Sequence, residues 1–394
     1  MSVNGNNFVI LDETQQPVLS ELQKSEFAYF ATNANFGIGC DNMLVVQNCT
    51  DSVLRKINED RRYWTQRLES SCADYVFRMF EPNGDEALSC GNGLKCIASY
   101  LFSRYGLKQA KIATEIPFKQ PRVVKIGTDS HAQTSWVNLG FPRRVPESLY
   151  LHPPSTMTDD PIDRVDGIQV TFRENDLAPY SKKRQLTLSG YLVFTGEPHL
   201  VVTETGLSIP EVSRTLFTAS TSGMNEKFNA DRRVSFGSTL IRLIGEIVNK
   251  TYGHVFPAGI NIDFVRCLPG KPIIEFRCFE RGIEKETLAC GTGALASVFV
   301  MRRLDLISDR IISVWPHRCR VYQPDAEITV EEKPDGWVLS SRPTYLFSGN
   351  YYFSSTYDEL GEKVRFTDKV HRPEMVDHHD PCSAPHSSRD SVRI

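Results

Sequence analysis

Two short stretches of the chain carry the residues best suited to chemistry, and they share one pattern. Each has a Glu four residues before a Cys and continues as Cys-Gly-polar-Gly, in 83–93 around Cys90 and in 281–293 around Cys290. The first turn of a helix carries partial positive charge, so a thiolate there is stabilised and a lowered cysteine pKa is expected. If the two thiols face one carbon from opposite sides, one removes a proton while the other delivers one. That is the requirement for inverting a stereocentre.

The glycines beside each cysteine predict a cradle for an anion. A residue without a Cβ atom lets backbone N–H groups approach a carboxylate at the start of a helix. The predicted cradle residues, which are candidates for binding substrate, are Gly91, Asn92, Gly93, Gly291 and Thr292. A lone Cys-Gly is more often a small buried structural residue, but the repetition on the scale of half the chain favours function and indicates a duplicated half-domain.

Apolar periodicity predicts a helix directly after each cysteine. After Cys90, apolar residues recur on one helical face as far as Tyr105. After Cys290, the segment 294–304 is apolar on nearly every side, which indicates a buried helix. Strands at 75–80 and 273–279 deliver the two cysteine motifs. Further predicted helices are 20–31 and 233–249, and further predicted strands are 110–114, 135–140, the pair within 190–202, 258–265, 311–322, 326–331 and 337–346.

The organisation along the chain predicts two halves and extra segments. The first half spans 1–140 and holds Cys90, and 141–185 is a connection with an insertion. The second half spans 186–353 and holds Cys290, and its last strand can return to the first half. The segment 354–394 is a polar tail without aromatic residues near its end, where disorder is expected.

Composition excludes several classes of protein. The chain has 394 residues and a net charge of −3, which gives no electrostatic footprint for nucleic acid. No apolar run is long enough to span a membrane and no signal peptide is visible, so a cytoplasmic protein is expected. The 10 cysteines form neither a disulfide framework nor a zinc-ligand spacing, so no metal is predicted. A small-molecule partner is expected, and a homodimer is left open.

The two cysteine motifs, with supporting motifs in the same order, resemble those of the diaminopimelate epimerases. Members of that family are cofactor-independent amino-acid epimerases with two active-site cysteines, and the resemblance covers about residues 5–353. It implies an α/β fold of two pseudo-symmetric domains, each a mostly antiparallel or mixed curved sheet wrapped around a central helix. It also implies catalysis by Cys90 and Cys290 without a cofactor.

The resemblance assigns further site residues by their place in the family's motifs. Asn6 matches an early Asn that contacts the reacting amino acid, and Asn42 stands where the family has Gln. Arg281 matches an arginine that grips a substrate carboxylate, for which its planar fork is suited. His199 matches the family's Gly-Asn-Pro-His segment and is a pocket-lining candidate, and Asn261 matches a substrate-contacting Asn. Glu197 near His199 and Glu280 beside Arg281 are further candidates for binding substrate.

The sequence departs from the family at two positions that bear on the substrate. Glu81 and Glu197 stand where the family has Asn. Two extra carboxylates favour a cation and repel a distal carboxylate, and Arg281 can neutralise one of them. The substrate is therefore either LL-diaminopimelate or a basic amino acid such as lysine, arginine or histidine. A non-catalytic binding protein and a thiol redox protein on the same scaffold remain as alternatives.

Overall fold

The computed structural model describes residues 1–66, 68–88, 90–151, 160–173, 176, 184–217, 227–353, 355 and 391–393. The first part of the chain forms three helices and a run of strands in these residues. The helices are α1 (Glu21–Thr32), α2 (Asp51–Arg61) and α3 (Gly91–Tyr105). The strands are β1 (Ser2–Val3), β2 (Asn6–Glu13), β3 (Asn42–Asn48), β4 (Tyr75–Phe80), β5 (Glu86–Ala87), β6 (Gln109–Thr114), β7 (Arg122–Asp129) and β8 (Thr134–Asn138).

The second part of the chain follows a similar order, with a helix of 25 residues before its central strands. Its helices are α4 (Pro210–Leu216), α5 (Lys227–Thr251), α6 (Gly291–Arg303) and α7 (His317–Tyr322). Its strands are β9 (Asp163–Thr171), β10 (Gln185–Phe194), β11 (Pro198–Thr203), β12 (Asn261–Cys267), β13 (Ile273–Glu280), β14 (Lys285–Glu286), β15 (Ile311–Pro316), β16 (Ile328–Lys333) and β17 (Gly336–Ser341). Two further strands, β18 (Asn350–Tyr352) and β19 (Ser391–Arg393), pair with each other.

Strand pairing shows the duplication directly. In the first half β2 runs parallel to β3, β3 pairs antiparallel with β4, and β4 forms a hairpin with β5 before α3. In the second half β11 runs parallel to β12, β12 pairs antiparallel with β13, and β13 forms a hairpin with β14 before α6. The two halves join where β8 pairs antiparallel with β17. The fold is the expected α/β arrangement of two pseudo-symmetric halves.

The central helices α3 and α6 lie in one hydrophobic core. Leu94, Ile97 and Leu101 of α3 and Leu295 and Val298 of α6 belong to the same buried cluster. The sheet face turned away from α3 is covered by α1, and the face turned away from α6 is covered by α5. Because they are covered on both faces, β4 and β13 are buried along almost their whole length.

Most predicted elements are confirmed, and two are wrong in their second parts. The strand predicted for 337–346 ends at Ser341. Helix α1 begins after the N-cap Ser20, whose side chain accepts a hydrogen bond from the backbone N–H of Gln23 in a capping box. The strand predicted for 311–322 ends at Pro316, and 317–322 is helical. Pro316 has no N–H to donate to a sheet, which explains why the strand stops there.

The ends of the two halves also meet. A two-residue strand, β1, precedes β2, which begins at Asn6, and Ser2 forms a bridge with Thr344. Phe353 packs into the cluster of α1 against Phe27, at 5.3 Å between ring centroids.

Strand β9, within the segment predicted as a connection, pairs with β10. The domain boundaries themselves remain a prediction, and most of the predicted tail lies outside the described residues. No helix in the described part of the chain is long and apolar enough to cross a membrane.

Candidate active site

Each candidate cysteine caps the helix that follows it. The sulfur of Cys90 accepts the backbone N–H of Gly93 at 3.4 Å, and the sulfur of Cys290 accepts that of Gly293 at 3.4 Å. Both cysteines have extended backbone angles, as N-cap residues do. Gly91 and Gly291 are the first residues of their helices. The predicted arrangement of a thiol at the mouth of a central helix is therefore present twice.

Close packing explains the second glycine of each motif. A Cβ atom on Gly93 would lie 3.2 Å from a methyl carbon of Leu44, and one on Gly293 would lie 2.7 Å from an oxygen of Asp263. The first turn of each helix thus touches the strand beneath it. Only a residue without a side chain allows the cysteine and its N–H donors to come this close to the sheet.

Buried ion pairs hold the two hairpins that lead to the cysteines. The repeated Glu of the motif is Glu86 in one half and Glu286 in the other. Arg78 Nε donates to Glu86 at 2.7 Å, and Arg277 Nε donates to Glu286 at 2.6 Å. All four groups are almost fully buried, and Arg78 also binds Glu21 of α1. The sequence signal for these arginines was the repeated Phe-Arg-x-Phe-Glu, at 77–81 and 276–280, which the sequence analysis missed.

Several observations place the two thiols in one site. Cys90 packs against the same core cluster that contains Cys290. The carboxylate of Glu280 raises the pKa of both cysteines, so its charge acts on both sulfurs. Burial lowers the pKa of Lys95 in α3, and this amine also interacts electrostatically with Cys96, Cys90 and Cys290. The two helix starts that carry Cys90 and Cys290 therefore border one core and one set of charged groups.

The pKa of each thiol departs from the sequence expectation. Burial raises the pKa of Cys90 to about 11, and the N–H groups of Gly93 and Asn92 offset only part of that rise. A hydrogen bond with Cys278 lowers the pKa of Cys290, but burial and the carboxylates of Glu280 and Asp263 leave it above its ordinary value. The expectation of lowered pKa values is wrong for the site without a substrate, because loss of water outweighs the helix start.

Polar side chains surround Cys290 on the strand side. The hydroxyl of Thr292 lies 3.4 Å from the sulfur and 3.0 Å from His199 Nε2. The other imidazole nitrogen, Nδ1, lies 2.8 Å from Asp263 Oδ2, and both residues are fully buried. Burial also raises the pKa of Glu280, whose carboxylate accepts a hydrogen bond from the hydroxyl of Thr287. Thr287, Asp263 and Cys278 were not singled out in the sequence, because nothing in their spacing marks them.

The first half places its predicted amides beside Cys90. Asn92 Nδ2 donates to Asn6 Oδ1 at 2.6 Å, and Asn6 Nδ2 donates to Asp41 at 3.3 Å. The amide oxygen of Asn92, Oδ1, is buried and has no hydrogen-bond partner among the described residues. Asn42 Nδ2 donates to Glu81 Oε2 at 3.0 Å. Asn6 and Asn92 thus form one pair at the start of α3, and Asn42 and Glu81 form another.

The second half joins its predicted residues through Arg281. The guanidinium Nε donates to Glu197 Oε2 at 3.0 Å, and a second guanidinium nitrogen contacts the same oxygen. The backbone N–H of Arg281 donates to Asn261 Oδ1 at 2.9 Å. Both side chains of the ion pair are partly open to solvent. The arginine that was expected to grip a substrate carboxylate is therefore occupied by a carboxylate of the chain itself.

Comparisons with known proteins agree with the resemblance. Residues 1–143 match the family model described as diaminopimelate epimerase. The diaminopimelate epimerase of Methanothrix thermoacetophila is 27% identical over 315 residues, covering 78% of this chain and 81% of that protein. The diaminopimelate epimerase of Coxiella burnetii is 24% identical over 358 residues, covering 89% and 97%.

One solved structure with a similar arrangement is a hydroxyproline epimerase from Agrobacterium vitis with bound trans-4-hydroxy-L-proline. It is 10% identical, covers 87% of this chain and 88% of its own, and has a TM-score of 0.48, which is too low to equate the two folds.

Proposed function

We propose that the chain, which is similar to diaminopimelate epimerases over most of its length, is an isomerase that inverts the α-carbon of a free amino acid with two thiol bases. Cys90 and Cys290 are the bases, and no cofactor takes part. One observation carries this proposal: two cysteines cap two central helices that share one core, and each accepts an N–H at 3.4 Å. A single such cysteine would serve as a nucleophile or a structural thiol, whereas a facing pair serves proton transfer on both faces.

The mechanism needs one thiolate and one thiol. The thiolate takes the α-proton, and the electron pair of the C–H bond moves toward the α-carboxylate. The other thiol then gives its proton to the opposite face, so the two sulfurs exchange protonation states. From the other enantiomer the roles are reversed. The backbone N–H groups of Asn92, Gly93, Gly291 and Thr292 stabilise the charge that develops on the carboxylate, and Asn6 and Asn42 orient the amino group.

The raised pKa values set the resting state. At neutral pH both thiols are mainly protonated, since burial disfavours each thiolate. The reactive form with one thiolate is then a minor fraction. An amino acid brings its ammonium group into the site, and a positive charge near a sulfur favours the thiolate. Substrate binding itself therefore increases the fraction of protein that is ready to react.

Charges around the predicted far end of the substrate favour a basic side chain. Arg281 is already paired with Glu197, so a distal carboxylate would have to displace that carboxylate first. Glu81 accepts a hydrogen bond from Asn42, but among the described residues no cation pairs with it. Burial raises the pKa of Glu81. A substrate cation beside this carboxylate would favour its ionised form. We therefore propose lysine, arginine or histidine as the substrate in preference to LL-diaminopimelate.

The test is a panel of L-amino acids and LL-diaminopimelate incubated with the protein in deuterium oxide. Chiral separation of the products measures inversion, and mass spectrometry measures deuterium at the α-carbon. The expected result is one deuterium per inverted molecule with a basic amino acid, because the returning proton comes from a thiol that exchanges with solvent. A binding protein or a redox protein would give no exchange. Efficient turnover of LL-diaminopimelate without turnover of any basic amino acid would refute the substrate assignment and keep the two-base mechanism.

A further inference from the structure

Beneath Cys290 lies a compact group of side chains that could bind a metal ion. His199, Asp263 and Cys278 are all buried, and one potential ligand atom of each lies within 4.8 Å of the others. Cys278 also forms a second group of this kind with Glu280 and Cys290. The ligands come from three neighbouring strands, β11, β12 and β13. Spacing along the sequence therefore gave no sign of them.

The group carries a carboxylate that the rest of the protein leaves unsatisfied. Asp263 is fully buried, and neither of its oxygens has a hydrogen-bond partner among the described residues. Among the described residues, the imidazole of His199 lies in ion-pair distance of this carboxylate, with Nδ1 at 2.8 Å from Oδ2. A buried carboxylate without hydrogen bonds is costly. Glu280 adds a second carboxylate within 4.8 Å of the sulfurs of Cys278 and Cys290.

We propose that His199, Asp263 and Cys278 form a site for a thiophilic divalent cation such as Zn²⁺, with the sulfur of Cys290 as the fourth ligand. One nitrogen, one carboxylate oxygen and two sulfurs form a donor set that suits tetrahedral zinc and does not suit calcium or magnesium. Ligand atoms around tetrahedral zinc are about 3.5 Å apart, from bond lengths of about 2.0–2.3 Å. The ligand atoms of His199, Asp263 and Cys278 lie within 4.8 Å of one another, and the sulfur of Cys290 lies within 4.8 Å of that of Cys278. Binding releases the thiol protons, since zinc takes thiolates.

An occupied site would stop the reaction of the proposed function. A sulfur that is bound to zinc can neither accept nor deliver the α-proton, so metal binding inhibits epimerisation through Cys290 alone. Cys90 has no such site, because the strand positions that match His199, Asp263 and Cys278 hold the apolar residues Phe8, Leu44 and Met79. This consequence rests on the proposed function, but the binding itself does not.

The binding test uses the full chain, fully reduced, and Zn²⁺ alone as the probe. Titration against a chromophoric chelator measures the affinity in the wild-type chain and in two variants, Cys278→Ala and Cys96→Ala. Cys96 is the matched control, a buried thiol of the same core cluster in α3. We expect one ion per chain, and a loss of at least about 100-fold in affinity for Cys278→Ala, since even outer-shell partners cost about 10–100-fold. Equal affinity in both variants, or no binding by the wild-type chain, would overturn the proposal.

A second measurement needs no variant and no activity. Iodoacetamide labelling followed by peptide mass spectrometry gives the alkylation rate of each cysteine with and without Zn²⁺. We expect the ion to protect Cys290 and Cys278 while Cys90 keeps its rate. Unchanged labelling of Cys290 would contradict the assigned ligands, even if Cys278→Ala failed to fold. A chain that binds zinc in this way but shows no α-proton exchange with any amino acid would refute the proposed function and leave the metal site standing.

Discussion

The two halves of the molecule share one backbone plan but line their cysteines with different chemistry. Strand registers match Phe80 with Phe279 and Phe8 with His199 across the duplication. Beneath α3 the matching positions are apolar, with Phe8, Leu44 and Met79 in the core cluster. Beneath α6 the same positions carry an imidazole, a carboxylate and a thiol: His199, Asp263 and Cys278.

A second difference lies within the helices. Lys95 is fully buried five residues after Cys90, and the equivalent residue after Cys290 is Leu295. The ammonium of Lys95 donates to Ser341 Oγ at 2.8 Å, and among the described residues no carboxylate pairs with it. Burial lowers the pKa of Lys95 to about 8. The first cysteine thus has a buried cation nearby, and the second has titratable strand residues.

This comparison teaches that the shared backbone plan supplies the geometry, whereas the side chains at matching positions supply the charges. Both cysteines keep the N–H at 3.4 Å and both hairpins keep the Arg–Glu pair. A substitution in the apolar or polar lining changes the electrostatics of one sulfur without moving the helix that carries it. The predictions below test whether the two sulfurs contribute equally to catalysis although the charges around them differ.

The largest effect is expected from removing either thiol. Cys90→Ala and Cys290→Ala should each lower inversion by at least about 1,000-fold, because general acid–base groups contribute about 100–10,000-fold. Chiral separation of products gives the rate, and circular dichroism with thermal melting shows whether the fold persists. If either variant kept a rate near that of the wild type, the two sulfurs would not act as a pair.

Substrate choice should respond next to the two acidic side chains. Glu81→Asn together with Glu197→Asn should lower kcat/KM for a basic amino acid by about tenfold or more, because a desolvated charge pair is worth a few kcal/mol. Freed from Glu197, Arg281 can accept a distal carboxylate, so any activity on LL-diaminopimelate should rise. Unchanged selectivity in the double variant would mean that these carboxylates point to solvent and that specificity is set elsewhere.

The pH dependence should be the same for both directions of the reaction. Since the pKa of each thiol is raised, the singly ionised form increases as pH rises. We expect kcat/KM to rise with pH between about 6 and 8, by up to about tenfold per unit for one essential deprotonation. Initial rates from each enantiomer across this range provide the measurement. A rate that falls with rising pH would contradict thiols with raised pKa values.

The smallest effect should come from making the first helix resemble the second. Lys95→Leu removes a cation whose charge lowers the pKa of Cys90, so that pKa should rise and the rate at pH 7 should fall, by less than about tenfold for one interaction among several. Stability should be kept or increased, because a buried ammonium without a carboxylate is costly. Alkylation rates against pH, with Cys290 as the internal comparison, report the change. A larger shift at Cys290 than at Cys90 would show that Lys95 serves the other half.

The sequence alone determined the duplication, the helices and the two thiols. The Cys-Gly-polar-Gly motif predicts a helix start because glycines, capping and apolar periodicity are local properties, and α3 and α6 begin at Gly91 and Gly291 as expected. The alternation of apolar residues in 75–80 likewise predicted β4, and the strand predicted for 273–279 is β13. These features depend on neighbours a few residues apart, so they can be predicted from a single chain.

Only the tertiary structure decided the charges around the site. It paired Arg281 with Glu197, enclosed Asp263 with His199 and brought Cys278 to Cys290. It also raised the pKa of both thiols, where the helix start by itself predicted a fall. Burial and ion pairing depend on residues that are far apart in the chain and meet only when strands such as β11, β12 and β13 lie side by side. The electrostatic terms that decide this site therefore come from the packing of the two halves.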